Sequence, residues 1–472
     1  MTLKIFNSLG NKLEEFKTLK GKNVGMYTCG PTVYNYAHIG NFRAYTWEDL
    51  LKRYLLFSGY TVKQVMNLTD VDDKTIKGAT EQKMVLSEFT EKYKKAFFED
   101  VKTLNILPAE VYPSATETIP EMVKIIEKLM EKGIAYKGED NCIYYSIKKF
   151  PKYGQLAGID VSKLKEGARI SQDEYEKEGV GDFALWKAWD ETDGNVFWET
   201  SLGKGRPGWH IECSAMSMKY LGESFDLHTG GVDNKFPHHE NEIAQSEGAT
   251  GKQFVKYWMH CEHLLVDGKK MSKSLGNFFT LRDLLDKKLN PRAIRYVLIN
   301  SQYRQQLNFS IDSVRDAEKT LEGLQNFIEK IREIKEKGKN ENEDGINDII
   351  EKASDGFRKS MDNDLNVPEA MKYVFDFIKE INKKISKSEI GEKGAEKIIT
   401  FLKKIDSVLG VLDFAEKYFE LSEEQQLLIR ERESARMEKK WAKADEIRDK
   451  LKTQGIELKD NDDGTTTAKA IN

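Results

Sequence analysis

Short apolar runs alternate with polar ones along the first third of the chain, and their period shifts as strand-like pieces take turns with amphipathic helices. Lys22 to Thr28 reads as a strand that breaks at Cys29-Gly30-Pro31. Arg43 to Phe57 reads as a helix with Leu50, Tyr54 and Phe57 on one face. Gly59-Tyr60 then turns into a second strand, Thr61 to Asn67, and two parallel strands joined by a helix make a Rossmann-type unit. Ligands bind at the strand ends of such sheets. Residues from about 113 to 205 break this rhythm: a helix, Glu121 to Lys132, leads into short strand-like pieces such as Ile143 to Ile147. Gly- and Trp-rich turns are expected around Phe183-Ala184-Leu185-Trp186 and Gly203-Lys204-Gly205. This region reads as an insertion between two halves of the sheet. From about 315 the pattern is almost wholly helical, apart from a polar link from Lys337 to Gly345. A long charged helix is expected from Ser422 to Lys452, with Ala444, Ile447 and Leu451 on one face. After Gly455, the strand Ile456 to Leu458 and the turn Asp460 to Gly464 suggest a closing hairpin.

Length changes the picture first, because 472 residues at ~150 per domain imply about three units. No apolar run approaches the ~18 residues of a spanning helix, and the first residues carry no secretory signal, so a cytoplasmic protein without membrane contact is expected. The formal charge of -4, from 74 basic and 78 acidic residues, argues against a protein that coats nucleic acid nonspecifically. Cysteines at 29, 142, 213 and 261 are too sparse for a disulfide framework, which leaves them for packing, metal or catalysis.

Three patches carry candidate chemistry. The first, Cys29 to Asn41, follows a strand and precedes a helix, and contains His38-Ile39-Gly40-Asn41. Glycine there lets a polyanion approach the backbone, and a helix N-terminus favours negative charge. His38 is placed to donate to a phosphate, although a histidine at a helix start also serves as a cap. The second is Lys270-Met271-Ser272-Lys273-Ser274, flanked by Gly268 and Gly276. Two lysines three apart on such a loop suit a mobile clamp over a triphosphate, and a charged surface loop is the plainer alternative. In the third, six of the seven histidines fall between 210 and 263, beside Cys213 and Phe236-Pro237-His238-His239-Glu240-Asn241-Glu242. With Pro237 in the first turn of a helix, His238 and Glu242 share a face. Adding Cys213 and Cys29 gives two thiolates, an imidazole and a carboxylate, a mixture zinc accepts. The alternative is that these side chains merely pack; Cys142 and Cys261 are expected to be structural.

The first two patches resemble the HIGH and KMSKS signatures of class I aminoacyl-tRNA synthetases, with Asn41 in place of the second His of the former. The chain is similar to the cysteinyl-tRNA synthetases along nearly its whole length. The likeness takes in Met66 to Lys74, Gly205 to Met216 and Trp441 to Arg448. That resemblance implies an α/β fold: a Rossmann-type catalytic domain with a parallel sheet (1–112 and 206–250) and an inserted connective domain (113–205). A KMSKS-loop and stem-contact fold (251–314), a helical bundle (315–405) and a small C-terminal anticodon-binding domain (406–472) follow. It implies one zinc per chain on Cys29, Cys213, His238 and Glu242, and Thr69, Trp209 and Asp233 around the bound amino acid. His38, Asn41, Lys270 and Lys273 are implied as catalytic, with His38, Gly40 and Lys273 on ATP. The partners implied are ATP with Mg2+, L-cysteine and tRNA(Cys), acted on by a monomer. A related ligase that joins cysteine to an amino sugar lacks the tail from about 406, and a non-catalytic zinc-stabilised RNA-binding module fits the negative net charge poorly.

Overall fold

The computed structural model describes residues 2–159, 169–170, 181–337, 344–415, 421–460 and 465–470. They form two compact units, 1–412 and 413–472. In the first, four strands make a parallel sheet: β1 (Asn23–Thr28), β2 (Thr61–Met66), β3 (Phe225–Gly231) and β4 (Val255–Cys261), in the order β4-β3-β1-β2. Helix α1 (Ile39–Phe57) carries the chain from β1 to β2, α2 (Trp209–Leu221) leads into β3, and α3 (His238–Thr250) joins β3 to β4. The connections leave β1 and β3 in opposite directions across the sheet. The crevice beyond the carboxyl ends of these two central strands is therefore the point where such folds bind ligands. Helices on the sheet bury the strand residues Val24, Met26, Tyr27, Val65, Leu227 and Trp258, each 1% exposed or less.

The stretch expected to form an insertion does so as a mainly antiparallel sheet, in which Arg169–Ile170 is the parallel member. Its strands run Ala135–Lys137, Ile143–Tyr145, Asp182–Ala188, Gly203–Pro207 and Trp198–Thr200 in spatial order, and Arg169–Ile170 pairs with Asp182–Ala188. Two turns expected from the sequence are corrected here. Phe183 to Trp186 lies inside a central strand, because Phe183, Leu185 and Trp186 are all buried and the run packs on both faces. Gly203 to Gly205 is also strand. Abundant glycine and tryptophan signalled turns, whereas the physical signal was a short, wholly apolar run.

The expected domain limits shift as well. Strand β4 belongs to the parallel sheet although it lies beyond residue 250, and the limits at 314/315 and 405/406 fall inside the helices Ile311–Lys337 and Glu392–Leu409. With Ile346–Met361 and Val367–Ser386 these helices build the bundle. The link expected at 337–345 lies mostly outside the described residues. Among the described residues, no helix is long and apolar enough to cross a membrane.

The bundle is tied to helix α1, beside the parallel sheet, by Arg295, which is fully buried. Its Nη2 contacts Asp49 Oδ2 of α1 at 2.5 Å, Nε donates to Leu409 O at 2.7 Å, and Nη1 donates to Leu104 O and Asn105 O at 3.1 Å each. Asp49 also receives Arg53 Nε at 2.7 Å and the Leu107 N–H at 2.8 Å. Breaking one partner of a buried charge pair leaves the other uncompensated, so Arg295→Met is expected to destabilise the first unit by about 3 kcal/mol. Chemical denaturation checks this, and a loss under ~1 kcal/mol would show that Arg53 alone satisfies Asp49.

In the second unit the expected long helix is two, Glu423–Met437 and Trp441–Thr453, reversed through Lys439 at φ 57°. The reversal brings Leu428 and Ile429 against Ile447 and Leu451 and closes a small core with Ile456. No glycine or proline marks the turn, and the continued helical periodicity concealed it. The hairpin follows as Ile456–Asp460 paired antiparallel with Thr466–Ala470. Asp460 ties it to the helices by ion pairs to Arg432 at 2.7 Å and Arg448 at 3.1 Å.

Candidate active site

The turn after β1 delivers His38 to the start of α1, where it is the N-cap. His38 Nδ1 accepts the Asn41 N–H at 3.2 Å, and Asn41 Oδ1 accepts the His38 N–H at 3.1 Å. This reciprocal pair satisfies two N–H groups that the first helical turn leaves open. Capping and phosphate contact are therefore compatible. An Nδ1 that accepts places the ring proton on Nε2, which becomes a donor. Burial lowers the His38 pKa, with the Asp233 charge pulling the other way, so the neutral ring is the resting form.

The lysine loop lies against this turn. Ile39 N–H donates to Phe279 O at 2.9 Å, the Phe278 ring meets the His38 ring edge-on at 5.4 Å, and a Cβ on Gly40 would come within 3.3 Å of the Met271 methyl. The same Cβ would crowd the capping His38 ring, at 3.0 Å, so glycine at position 40 leaves room for that ring. Within the loop, Ser272 N–H donates to Asn277 Oδ1 at 2.8 Å and Asn277 Nδ2 donates to Lys270 O at 3.2 Å. Lys270 is exposed, and Lys273 opens the single turn Lys273–Leu275.

Beyond the central strands the metal candidates converge. Cys29 follows β1, Cys213 is on α2, and His238 and Glu242 are one turn apart on α3, whose first residue is His238 rather than Pro237. One ligand atom from each lies within 4.8 Å of all the others, and all four are buried. His238 Nε2 stands 3.3 Å from Cys213 Sγ and 3.2 Å from Glu242 Oε1. Tetrahedral zinc with bonds of ~2.0–2.3 Å spaces its ligand atoms roughly 3.3–3.8 Å apart. Glu242 Oε1 is buried without a well-formed hydrogen bond, which costs free energy unless a cation takes its lone pair. The donor set and this orphaned oxygen both fit zinc. Burial pushes the Glu242 carboxyl and the Cys29 thiol well up. Burial also opposes ionisation of Cys213, yet hydrogen bonds with Cys29, His238 and Tyr27 and the His238 charge hold its thiol well below the usual range.

The remaining histidines, which their clustering flagged without sorting, surround this set. His228 Nε2 meets Glu242 Oε2 at 2.8 Å, and His210 Nδ1 faces His238 Nδ1 at 3.0 Å. A relay runs from Ser8 Oγ to His260 Nδ1 (2.7 Å), from His260 Nε2 to His239 Nδ1 (2.9 Å), and from His239 Nε2 to Cys29 Sγ (3.2 Å). Burial lowers His210 and His239 well below the ordinary value and His228 and His260 to about 3, so these rings are neutral.

The three expected pocket residues stand around the same crevice. Trp209 opens α2 and stacks on His238 at 4.1 Å. Asp233 sits in the turn after β3, its charge felt by His38. Thr69 is buried, and its hydroxyl donates to Glu212 Oε2 at 2.9 Å and accepts Asn67 Nδ2 at 3.1 Å, while Asn67 Oδ1 accepts the Gly30 N–H at 2.9 Å. Asn67 and Glu212 were missed because they are far apart in the chain, and only the fold brings both onto the Thr69 hydroxyl. Glu48 was missed too: wholly buried on α1, it accepts from Thr229 at 2.8 Å, and burial raises its carboxyl to about 8. Cys142 stays apart in the insertion, its sulfur accepting the Ala188 N–H at 3.3 Å.

Comparison with known proteins adds three family models. The one described as tRNA synthetases class I (C) catalytic domain matches residues 15–319, a DALR domain matches 356–413, and a cysteinyl-tRNA ligase anticodon binding domain matches 420–466. A cysteine–tRNA ligase of Brachyspira hyodysenteriae is 50% identical over 465 residues, covering 97% of this chain and 98% of the relative. One of Protochlamydia amoebophila is 48% identical over 470 residues, covering 99% and 98%. Among solved structures, Mycobacterium tuberculosis methionyl-tRNA synthetase with methionyl-adenylate superposes with a TM-score of 0.61 at 15% identity, covering 82% of this chain and 90% of that one. That likeness extends to the fold alone.

Proposed function

The chain belongs to the cysteine–tRNA ligases, a family of class I aminoacyl-tRNA synthetases, and from that premise we propose how its residues select cysteine, activate it with ATP and pass it to the 3′-terminal adenosine of tRNA(Cys). The observation that carries this reading is the convergence of Cys29, Cys213, His238 and Glu242 within 4.8 Å, beside the capped start of α1.

Zinc bound by these four residues would supply a soft Lewis acid for the substrate sulfur, which separates a thiol from the hydroxyl of serine and the methyl of alanine. The residues around it do the positioning. Trp209, stacked on His238, walls the pocket; Asp233 offers a carboxylate to the substrate ammonium; Thr69 is oriented by Asn67 and Glu212. The substrate carboxylate then attacks the α-phosphate of ATP, whose phosphates meet the N-terminus of α1 and the close backbone of Gly40. His38 donates through Nε2–H, held in that tautomer by its cap, and Lys270 and Lys273 bring positive charge as it is needed. Mg2+ accompanies the ATP. Positioning and electrostatics supply the rate; the carboxylate itself is the nucleophile. The unit from Asp413 onward is proposed to read the anticodon, in a monomer working in the cytoplasm.

The deciding assay is ATP–pyrophosphate exchange. Exchange that depends on cysteine, proceeds without tRNA and is followed by charging once tRNA(Cys) is added is the expected result; exchange driven equally by serine would sink the thiol-selection mechanism. His38 offers a second test, since asparagine is as good an N-cap as any residue. His38→Asn is expected to keep the melting temperature within ~2 °C, as an intact cap requires. It should lower the exchange rate by about 10²-fold or more through the lost Nε2–H donor. A fall in stability with unchanged rate would mark His38 as a cap alone.

A further inference from the structure

Two ring nitrogens on the far side of the metal candidates complete a second donor set. Cys29, His228, His239 and Glu242 also present one ligand atom each, all within 4.8 Å of one another and all buried. His239 Nε2 lies 3.2 Å from Cys29 Sγ and 4.0 Å from Glu242 Oε1, and His228 Nε2 lies 2.8 Å from Glu242 Oε2. These separations bracket the roughly 3.3–3.8 Å of tetrahedral zinc, whereas the 3.2 and 3.3 Å of the first set lie at its lower edge. The two sets share Cys29 and Glu242. Two ions together would set four positive charges against three anionic ligands with no exposed surface, so the sets compete for one ion.

Their surroundings differ. His238 stacks on Trp209, which is only half-buried, whereas His228 stacks at 4.4 Å on Trp258, a core residue 1% exposed. The first set thus faces the amino-acid crevice and the second faces the body of the sheet. The first also has two thiolates against one, which zinc prefers. Ligation through His239 Nε2 needs its lone pair there, and the relay behind it permits this without losing a contact. His239 Nδ1–H then donates to His260 Nε2, and His260 Nδ1–H donates to Ser8 Oγ, across the same 2.9 Å and 2.7 Å separations. Each proton simply stands one nitrogen closer to Ser8.

Building on the zinc reading above, we propose that the pocket holds its divalent ion in a second mode, on Cys29, His228, His239 and Glu242, whenever Cys213 cannot ligate. In that mode the ion is retained but withdrawn from the crevice, so the enzyme keeps its metal and loses cysteine activation.

Metal content and the cobalt(II) spectrum test this on the full chain. Cys213→Ser is expected to keep about one equivalent of zinc or cobalt, with the thiolate-to-cobalt band reduced to about half as one of two sulfurs leaves the shell. Cys213→Ser with His239→Ala should bind the ion at least ~10-fold more weakly than Cys213→Ser alone, while Cys213→Ser with His238→Ala should bind it equally well. The opposite order would leave the ion on the first set and overturn the proposal. His239→Ala in the native background keeps its metal and reports whether that substitution folds; should it unfold, His228→Ala takes its place with the same expectation. A native chain that binds one ion and a Cys213→Ser chain that binds none overturns this proposal alone. A native chain that binds none overturns the zinc reading with it.

Discussion

Cys29→Ser is expected to lower cysteine activation by about three to four powers of ten and to abolish the preference for cysteine over serine, the scale on which a direct bond to a substrate heteroatom discriminates. Cys29 is the only thiolate common to both donor sets, so its loss strips the ion from either position. Zinc per chain should fall from about one to under ~0.1 at micromolar metal, since either set then keeps only three of its four ligands. The substitution is nearly isosteric and sits at a strand end, so the fold should survive. Cys142→Ser, remote in the insertion sheet, serves as the control and should leave metal and activity intact. Retention of zinc and of the cysteine preference by Cys29→Ser would refute the thiolate-selection mechanism even with the family assignment intact.

The second large effect is expected at Lys273. In the proposed mechanism its ammonium meets charge that grows on the phosphates as the adenylate forms, so Lys273→Ala should reduce the chemical rate by about 10²–10³-fold. The KM for cysteine should move by less than ~3-fold, because the proposed amino-acid site lies beyond the central strands, beside the four metal candidates. Single-turnover adenylate formation separates the two quantities. A loss confined to cysteine affinity would assign the loop to substrate binding instead of to the transition state.

Much of this was legible before any coordinates. The strand before Cys29 appears within a residue of its expected place, the helix after it ends at Phe57 as expected but begins earlier, at Ile39 instead of Arg43, and the four metal candidates come together. Spacing could link His238 to Glu242, because a helix puts residues four apart on one face. It could not sort the other histidines, since which ring faces a ligand and which faces a neighbouring ring depends on elements far apart in the chain. Four residues on from His239 stands Ile243, which cannot ligate, yet the His239 ring lies on Cys29 and 4.0 Å from Glu242. The hidden turn at Lys439 and the strand through Trp186 failed for local reasons. A lysine at positive φ carries no sequence warning, and an apolar run rich in aromatics looks like a turn when glycines flank it.

The strand order has a consequence for synthesis. β1 pairs with β2 almost at once, but its other edge waits for β3, about 200 residues later in the chain, which at ~5–20 residues per second leaves that edge open for roughly 10–40 s on the ribosome. Through nearly all of that interval Cys29 has none of its partners, for Cys213 emerges only just before β3, and His238 and Glu242 come after it. An unpaired parallel edge is a template for wrong pairing. The nascent first half is therefore the form of this protein most in need of a chaperone, and starving cells of zinc would not worsen that step, because the metal pocket is assembled only after the edge has closed.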